Sequence, residues 1–183
     1  MTGRYPFNIG YYAMPPDDEN QCTSNYTALP QLLQTMGYST HAYGKWDVGY
    51  VAKVCTPTYR GFDTFLGYYK AANEDLWYHG SGRCSTASAV DPTDMSRNTG
   101  SSLDGATDIN GTYSTRAFAD AAIATIAAHN QTNGPLYLYI APQNVHLAGG
   151  PSKSTEGIQA PCDTVGLYVN QFIVARRESA REH

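Results

Sequence analysis

A predicted helix followed directly by a predicted strand occurs twice in this chain, and this repetition constrains the fold most strongly. The first helix is predicted over residues 31–36, because Pro30 stands near its start and Gly37 follows its end. Proline is favoured in a first helical turn and glycine just beyond a last one. Residues 38–43, rich in tyrosine and threonine, then predict a strand.

The second unit begins at Ser114, a favourable N-cap residue for a helix. Apolar residues follow at a spacing of four and predict one buried stripe: Phe118, Ala122 and Ile126. Asn133-Gly134-Pro135 breaks the chain, and residues 136–141 predict a short buried strand. Helix then strand, twice, predicts an α/β fold with a mainly parallel sheet covered by helices.

The positions that follow the predicted strands are where a functional site is expected. In open sheets of this type, ligands bind beyond the carboxyl ends of the strands. Lys45 and His146 each come a few residues after the end of a predicted strand. Residues 80–111 are rich in Ser, Thr, Asp and Gly, so they predict a long loop or a region of weak order between these two regions.

Bulk properties favour an extracellular or lumenal protein. The four cysteines and the sequons at Asn25, Asn110 and Asn130 point to an oxidising secretory route. A formal net charge of -4 gives no reason to expect nucleic acid as a partner, and no apolar run approaches the ~18 residues of a membrane span. Met1 opens without the apolar core of a signal peptide, so we expect that the natural chain begins upstream.

Several short motifs occur along the chain in a particular order. They include Thr2-Gly3-Arg4-Tyr5-Pro6, Gly44-Lys45-Trp46-Asp47-Val48-Gly49, Arg60-Gly61-Phe62-Asp63-Thr64 and Gln143-Asn144-Val145-His146. In this order they resemble the type I, formylglycine-dependent sulfatases, in the arylsulfatase B-like branch. The resemblance covers residues 1–150 as a partial N-terminal catalytic domain, whereas residues 151–183 read as a divergent tail.

The resemblance implies an incomplete alkaline phosphatase-like α/β fold and the hydrolysis of a sulfate ester to an alcohol and inorganic sulfate. The family uses formylglycine as nucleophile and calcium as charge partner. The family's Cys-x-Pro-Ser-Arg motif would precede Met1, and its calcium ligands fall outside this chain; Asp17-Asp18 lies on the wrong side of the nucleophile motif. We therefore expect neither activity nor a specific metal site from these 183 residues alone.

The resemblance assigns sulfate contacts to Lys45 and His146. A lysine offers a compact positive charge with three donors, and a histidine can donate to an oxyanion or protonate a leaving group. Asp47 stands where the family usually has histidine, and an ionised carboxylate cannot donate. If residues 45 and 47 lay on one strand, their side chains would share a side, and Asp47 would pair with Lys45 and weaken its attraction for sulfate.

The resemblance also implies a disulfide between Cys22 and Cys55, and it leaves open whether Cys84 and Cys162 pair with each other or with other segments. The 15 tyrosines suit either a sugar-binding surface or a core and its margin, of which the core is favoured.

Three hypotheses follow for the function. The chain is part of a secreted or lysosomal (lumenal) sulfatase acting on sulfate esters, with sulfated glycans as a candidate class. Alternatively, it is a secreted, non-catalytic sulfate- or glycan-binding protein derived from a sulfatase. In the third, it is a fragment that does not fold alone, because missing strands would leave apolar surface and strand edges uncovered.

Overall fold

A computed structural model describes residues 1–9, 22, 24–69, 95–109 and 112–144. The strands in these ranges are β1 (Ser39–Lys45), β2 (Thr64–Tyr68), β3 (Met95–Thr99), β4 (Ser102–Gly105) and β5 (Leu136–Ala141), and the α-helices are α1 (Leu29–Thr35) and α2 (Ser114–Ala128). The strands form one sheet in the order β4-β3-β2-β1-β5.

The three strands β2, β1 and β5 are parallel, with β1 in the middle. In this register, Lys45 lies beside Tyr68 of β2, and Gly44 lies beside Ala141 of β5. The carboxyl ends of the three strands therefore meet at one edge of the sheet. This arrangement confirms the predicted α/β class.

Both predicted helix–strand units are present. Pro30 lies in the first turn of α1, and Gly37 after the helix has a left-handed φ of 81°. Strand β1 starts one residue later than predicted and continues to Lys45, while β5 has the predicted bounds. Neither helix in the described ranges combines the length and apolar character that crossing a bilayer requires.

Two details of α2 differ from the prediction. Tyr113, not Ser114, occupies the N-cap position, because Ser114 already has helical geometry and its hydroxyl donates to the side chain of Gln143. Ile126 is 56% exposed instead of buried. The side of the last turns that faces the sheet carries Thr125, whose hydroxyl hydrogen-bonds with the Tyr43 hydroxyl at 2.6 Å.

The prediction that residues 80–111 lack regular structure is wrong for residues 95–99 and 102–105. Strands β3 and β4 form an antiparallel hairpin there, and β3 pairs with the outer side of β2. Gly100, with a φ of 57°, occupies the first position of the two-residue turn, where the chain needs a left-handed conformation. Polar composition concealed this hairpin, since β4 is exposed throughout and only Met95 and Asn98 of β3 are buried.

The core has two parts, one on each face of the sheet. Neighbouring strand residues point to opposite faces, so Tyr43 and Leu66 pack with Phe118 of α2, whereas Ala42 and Phe65 pack with other residues on the far side. The far-side cluster also contains Trp46 and Phe62, with Tyr69, Tyr137 and Tyr139 partly buried against it. Tyr68 is fully buried, in agreement with the core reading of that tyrosine, while Tyr11-Tyr12 and Trp77-Tyr78 lie outside the described residues.

The Arg60-Gly61-Phe62-Asp63 motif holds the fold together. The buried guanidinium of Arg60 donates to the Tyr26 carbonyl oxygen, and Asp63 accepts from the Thr40 backbone N–H at 2.8 Å. The predicted disulfide between Cys22 and Cys55 is formed and joins two segments 33 residues apart. Cys84 and Cys162 lie outside the described ranges, so their pairing stays a prediction.

Candidate functional site

Lys45 is the last residue of β1, the middle one of the three parallel strands, at the edge where these strands end. Its side chain is 28% exposed, and its Nζ lies 3.4 Å from a carboxylate oxygen of Asp47, whose side chain is 48% exposed. The predicted pairing of these two residues is therefore present. It places an ion pair, not an isolated cation, at this position.

The backbone that produces this pair is not the predicted strand. Asp47 lies beyond β1 and has a φ of 51°, which makes it left-handed. Aspartate, asparagine and histidine tolerate this conformation better than most residues. The tight turn after Lys45 directs the carboxylate back toward the ammonium, so the pair forms through a turn instead of along one side of a strand.

Trp46 fixes the loop that follows Lys45. Its ring is buried in edge-to-face contact with Phe62, and its indole N–H donates to the Gly49 carbonyl oxygen at 2.9 Å and to the Cys55 carbonyl oxygen at 3.0 Å. The disulfide at Cys55 ties the far end of the same loop to residue 22. The tryptophan of the Gly44-Lys45-Trp46 motif thus acts in the structure as an anchor for the loop.

Two glycines permit the close approach of the strands at this edge. A β-carbon on Gly44, whose φ is 108°, would overlap the Ala141 carbonyl oxygen. A β-carbon on Gly67 would likewise overlap the Gly44 carbonyl oxygen. The backbone around Lys45 is therefore closely confined between β2 and β5.

Two tyrosines interact with the residues of the ion pair, and sequence reasoning did not place them there. Burial raises the pKa of the Tyr139 hydroxyl, the Lys45 ammonium opposes that rise, and the Asp47 carboxylate adds to it. The carbonyl oxygen of Tyr69 accepts a hydrogen bond from the Asp47 backbone N–H at 3.1 Å. The ring of Tyr69 stacks on that of Tyr50, with centroids 5.8 Å apart. Only the frequency of tyrosine hinted at this cluster, because its members are far apart in sequence.

Tyr69 is held from both sides. Its ring stacks on Phe65, with centroids 5.5 Å apart, and its hydroxyl accepts from the amide of the buried Asn98 on β3. Burial raises the pKa of Tyr69, while hydrogen bonds with Asn98 and Ser96 oppose the rise. The hairpin that sequence reasoning missed thus holds Tyr69, the residue that accepts the Asp47 backbone N–H.

The segment leading toward His146 is attached to the first turn of α2. Buried Gln143 accepts the Ser114 hydroxyl, and Asn144 accepts the Thr115 hydroxyl at 2.9 Å. The first turn of α2 and the described part of the Gln143-Asn144-Val145-His146 motif, Gln143 and Asn144, are therefore in contact. His146 itself lies outside the described residues, so its proximity to Lys45 stays a prediction.

The described residues do not fit the groups that the family resemblance implies. Across these ranges, no group of three or more His, Cys, Asp or Glu side chains could hold a metal ion. Cys55 does begin a Cys-x-Pro sequence, but it is joined to Cys22 and continues as Thr58-Tyr59 where the family motif has Ser-Arg. Neither of these two cysteines can serve as a formylglycine precursor.

The sulfatase family model matches residues 1–175 of this chain. The chain belongs to the sulfatase family. The match runs past residue 150, and the proposed division into residues 1–150 and 151–183 stays a prediction.

One curated relative agrees with this assignment, and several solved structures share the fold. Arylsulfatase J of Mus musculus is 35% identical over 148 residues, which cover 80% of this chain and 23% of that protein. The crystal structure of Ps i-CgsB has a TM-score of 0.64 at 20% identity, covering 93% of this chain and 36% of that one. Its complex with k-i-k-neocarrahexaose has a TM-score of 0.62 at 21% identity, with the same coverage. The PsFucS1 sulfatase from Pseudoalteromonas sp. gives 0.57 at 21% identity, covering 82% and 34%.

These structures share the fold with this sulfatase chain, which confirms the alkaline phosphatase-like architecture. The chain spans about a quarter of Arylsulfatase J and about a third of the two crystal structures.

Proposed function

We propose that this chain is part of a sulfuric ester hydrolase and that Lys45 binds the sulfate group of the substrate. The observation that carries the proposal is the position of the Lys45 ammonium. It stands at the carboxyl end of the central parallel strand, partly exposed, on a backbone that neighbouring strands confine. Ligands bind at this edge in open α/β sheets.

Lys45 would contribute charge stabilisation. Its three N–H donors suit the oxygens of a sulfate ester, where negative charge grows as the ester bond breaks. Packing of Trp46 and the close contact at Gly44 would hold the backbone still, so little reorganisation is needed during the reaction. His146 would contact the sulfate, the role that its place in the motif implies, and would donate either to a sulfate oxygen or to the leaving oxygen.

Formylglycine and calcium would come from parts of the complete protein outside this chain. Together they would supply a covalent nucleophile and a positive charge close to the sulfate. We propose that the described residues contribute by binding and orienting the substrate and by donating hydrogen bonds.

Sulfated glycans are the substrate class that we favour. Tyr139 interacts electrostatically with Lys45 and Asp47, and the Tyr69 carbonyl oxygen accepts from the Asp47 backbone. Both tyrosines are partly exposed, and aromatic rings with a polar end suit sugar surfaces. The complex of Ps i-CgsB with k-i-k-neocarrahexaose gives an example of a sugar bound by a protein of this fold. We further propose that the protein is a secreted or lysosomal glycoprotein, which accords with the disulfide and the sequons.

One observation favours a second function, a sulfate- or glycan-binding protein without turnover. Asp47 replaces the family's histidine and pairs with Lys45, which adds negative charge beside an anionic substrate. Such a site would retain weak sulfate binding through Lys45 while losing the donor that assists turnover.

The experiment that tests the proposal is release of inorganic sulfate from an aryl sulfate by the complete protein that contains this chain. Replacing Lys45→Met should lower kcat/KM by about 100-fold or more, because one preorganised donor is lost. Lys53→Met is the matched control, since Lys53 is exposed in the same loop, and it should leave kcat/KM unchanged.

The outcomes separate the two functions. Turnover by the wild-type protein that depends on Lys45 supports the enzyme. Saturable sulfate ester binding without sulfate release supports the binding protein. An equal loss in both lysine variants would contradict a specific role for Lys45.

A further inference from the structure

The turn between α2 and β5 carries a sequon, Asn130-Gln131-Thr132, that the proposed reaction does not use. All three residues are exposed, and they lie at the start of a short 3-10 turn (Gln131–Asn133). Because Gln131 is not proline, the sequence meets the requirement for N-glycosylation. The sequon is therefore accessible and has the correct composition.

The side chain of Asn130 has a defined conformation. Its Oδ1 accepts from the Thr132 backbone N–H at 3.0 Å and from the Thr132 hydroxyl at 2.8 Å. Both contacts engage the oxygen of the amide, so the Nδ2 atom remains available for modification in the described structure. In the sequon at Asn25, the described residues provide no such contact between Asn25 and Thr27, and Asn110 is outside the described ranges.

The turn that carries Asn130 is itself well ordered by hydrogen bonds. The Asn133 backbone N–H donates to the Asn130 carbonyl oxygen at 2.9 Å, and a ring nitrogen of His129 lies 3.0 Å from the Gly134 carbonyl oxygen. Asn130 also serves as the N-cap of the 3-10 turn. Capping alone would require only an oxygen acceptor, whereas glycosylation also requires the amide nitrogen.

The position of the turn is compatible with a bulky modification. Ser39 pairs with Leu136 at the amino ends of β1 and β5, whereas Lys45 lies at the other end of β1. At the usual rise per residue, a strand of this length separates its ends by roughly 20 Å. A glycan on Asn130 would therefore project from the edge of the sheet opposite the ion pair and leave substrate access open.

We propose that Asn130 is an N-glycosylation site of this protein. In the secretory pathway, a diphosphate-linked lipid oligosaccharide would be the donor. The Asn130 Nδ2 atom forms a bond to the anomeric carbon of the first sugar, and the bond from that carbon to the diphosphate oxygen breaks. The lipid diphosphate leaves with the bonding electrons, and the amide loses one proton. No oxidant or reductant takes part.

The test is expression of the complete protein through the secretory pathway of a eukaryotic cell, behind a supplied signal peptide. Enzymatic release of N-glycans in heavy-oxygen water converts each occupied asparagine to a labelled aspartate. Mass spectrometry of the peptide containing residue 130 should find that label. This readout is independent of sulfatase activity, so its failure would leave the proposed sulfate ester hydrolysis and the role of Lys45 unaffected.

Matched variants separate glycosylation from capping. Asn130→Asp keeps the oxygen that caps the turn but should abolish the glycan, as should Thr132→Ala. Thr132→Ser preserves the sequon and should retain the glycan, as should Asn133→Gln in the same turn. An unmodified residue 130 in the secreted wild-type protein would overturn the proposal, as would a glycan at this turn that persists in Asn130→Asp.

Discussion

At the residue scale, Asp47 most affects what the site can do. Its left-handed backbone favours a small set of residues, among them aspartate, asparagine and histidine. The turn can therefore accept either the family's histidine or this aspartate without new strain. What changes is the charge, since the carboxylate lies 3.4 Å from the Lys45 ammonium and competes with a sulfate oxygen for it.

Replacing Asp47→Asn should strengthen sulfate binding. Asparagine retains the backbone preference and removes the negative charge, so Lys45 would be released from its ion pair. Because exposed pairs contribute about 0.2–1 kcal/mol, the affinity for inorganic sulfate should rise by roughly 1.5- to 5-fold. Calorimetric titration of the complete protein measures this change.

The control for that titration is Asp120→Asn, which removes the same charge from the exposed side of α2. Its sulfate affinity should stay at the wild-type value. If Asp47→Asn also left the affinity unchanged, the ion pair would not restrain Lys45.

Some residue contacts could be predicted from the sequence, and others could not. Sequence reasoning correctly paired Lys45 with Asp47 and Cys22 with Cys55, since motif and family resemblance mark these positions. It could not predict that Lys45 and Asp47 meet through a turn instead of along a strand. The left-handed φ of Asp47 makes that turn, and the sequence does not determine this angle. The contact of Tyr50 with Tyr69 was equally hidden, since the intervening chain must fold before the rings meet.

At the element scale, the predicted units were those with both a periodic pattern and clear stop signals. Helix α1 and strand β5 have proline or glycine at their boundaries and fall close to their predicted bounds. Strand β2 was not predicted, and the hairpin of β3 and β4 was read as loop because its exposed residues are polar. Pairing with β2 stabilises that hairpin, and such a long-range contact leaves little trace in local sequence.

Strand β1 carries a pH-sensitive group at the end opposite Lys45. Burial lowers the pKa of His41, the nearby Asp63 carboxylate opposes this shift, and His129 adds to it. A ring nitrogen of His41 lies 2.7 Å from the Thr64 hydroxyl of β2. Protonation of His41 is therefore less favourable in the folded chain than in the unfolded one.

The free energy of unfolding should consequently decrease as the pH falls below about 6.5, the ordinary pKa of histidine. Above that value both states are neutral at His41 and its contribution is constant. Below it the unfolded state binds the proton first, until the pH reaches the lower pKa of the folded state. Urea unfolding at several pH values measures this slope.

His41→Gln should reduce the slope in that interval, because the side chain no longer titrates. Comparing the free energies of unfolding of the wild type and His41→Gln above pH 7 measures any loss of packing that does not depend on pH, and so separates it from the effect of titration. A variant whose stability depends on pH as steeply as that of the wild type would contradict the assignment to His41.

At the scale of the whole molecule, the described residues form one sheet flanked by helices, and we propose that they are one side of a larger catalytic domain. The sheet, the disulfide and the loop anchored by Trp46 hold Lys45 at the edge where the parallel strands end, and we propose that the substrate binds there. The chain covers 23% of Arylsulfatase J, and we propose that catalysis requires the complete protein. Both proposed functions nevertheless require that Lys45 bind sulfate.

Equilibrium binding of inorganic sulfate to the complete protein is the most direct measurement of that claim. Hydrogen bonds to charged groups contribute about 1.5–3 kcal/mol, so Lys45→Met should weaken sulfate binding by about 10- to 100-fold relative to the wild-type protein. Unchanged sulfate affinity in a folded Lys45→Met protein would contradict the account.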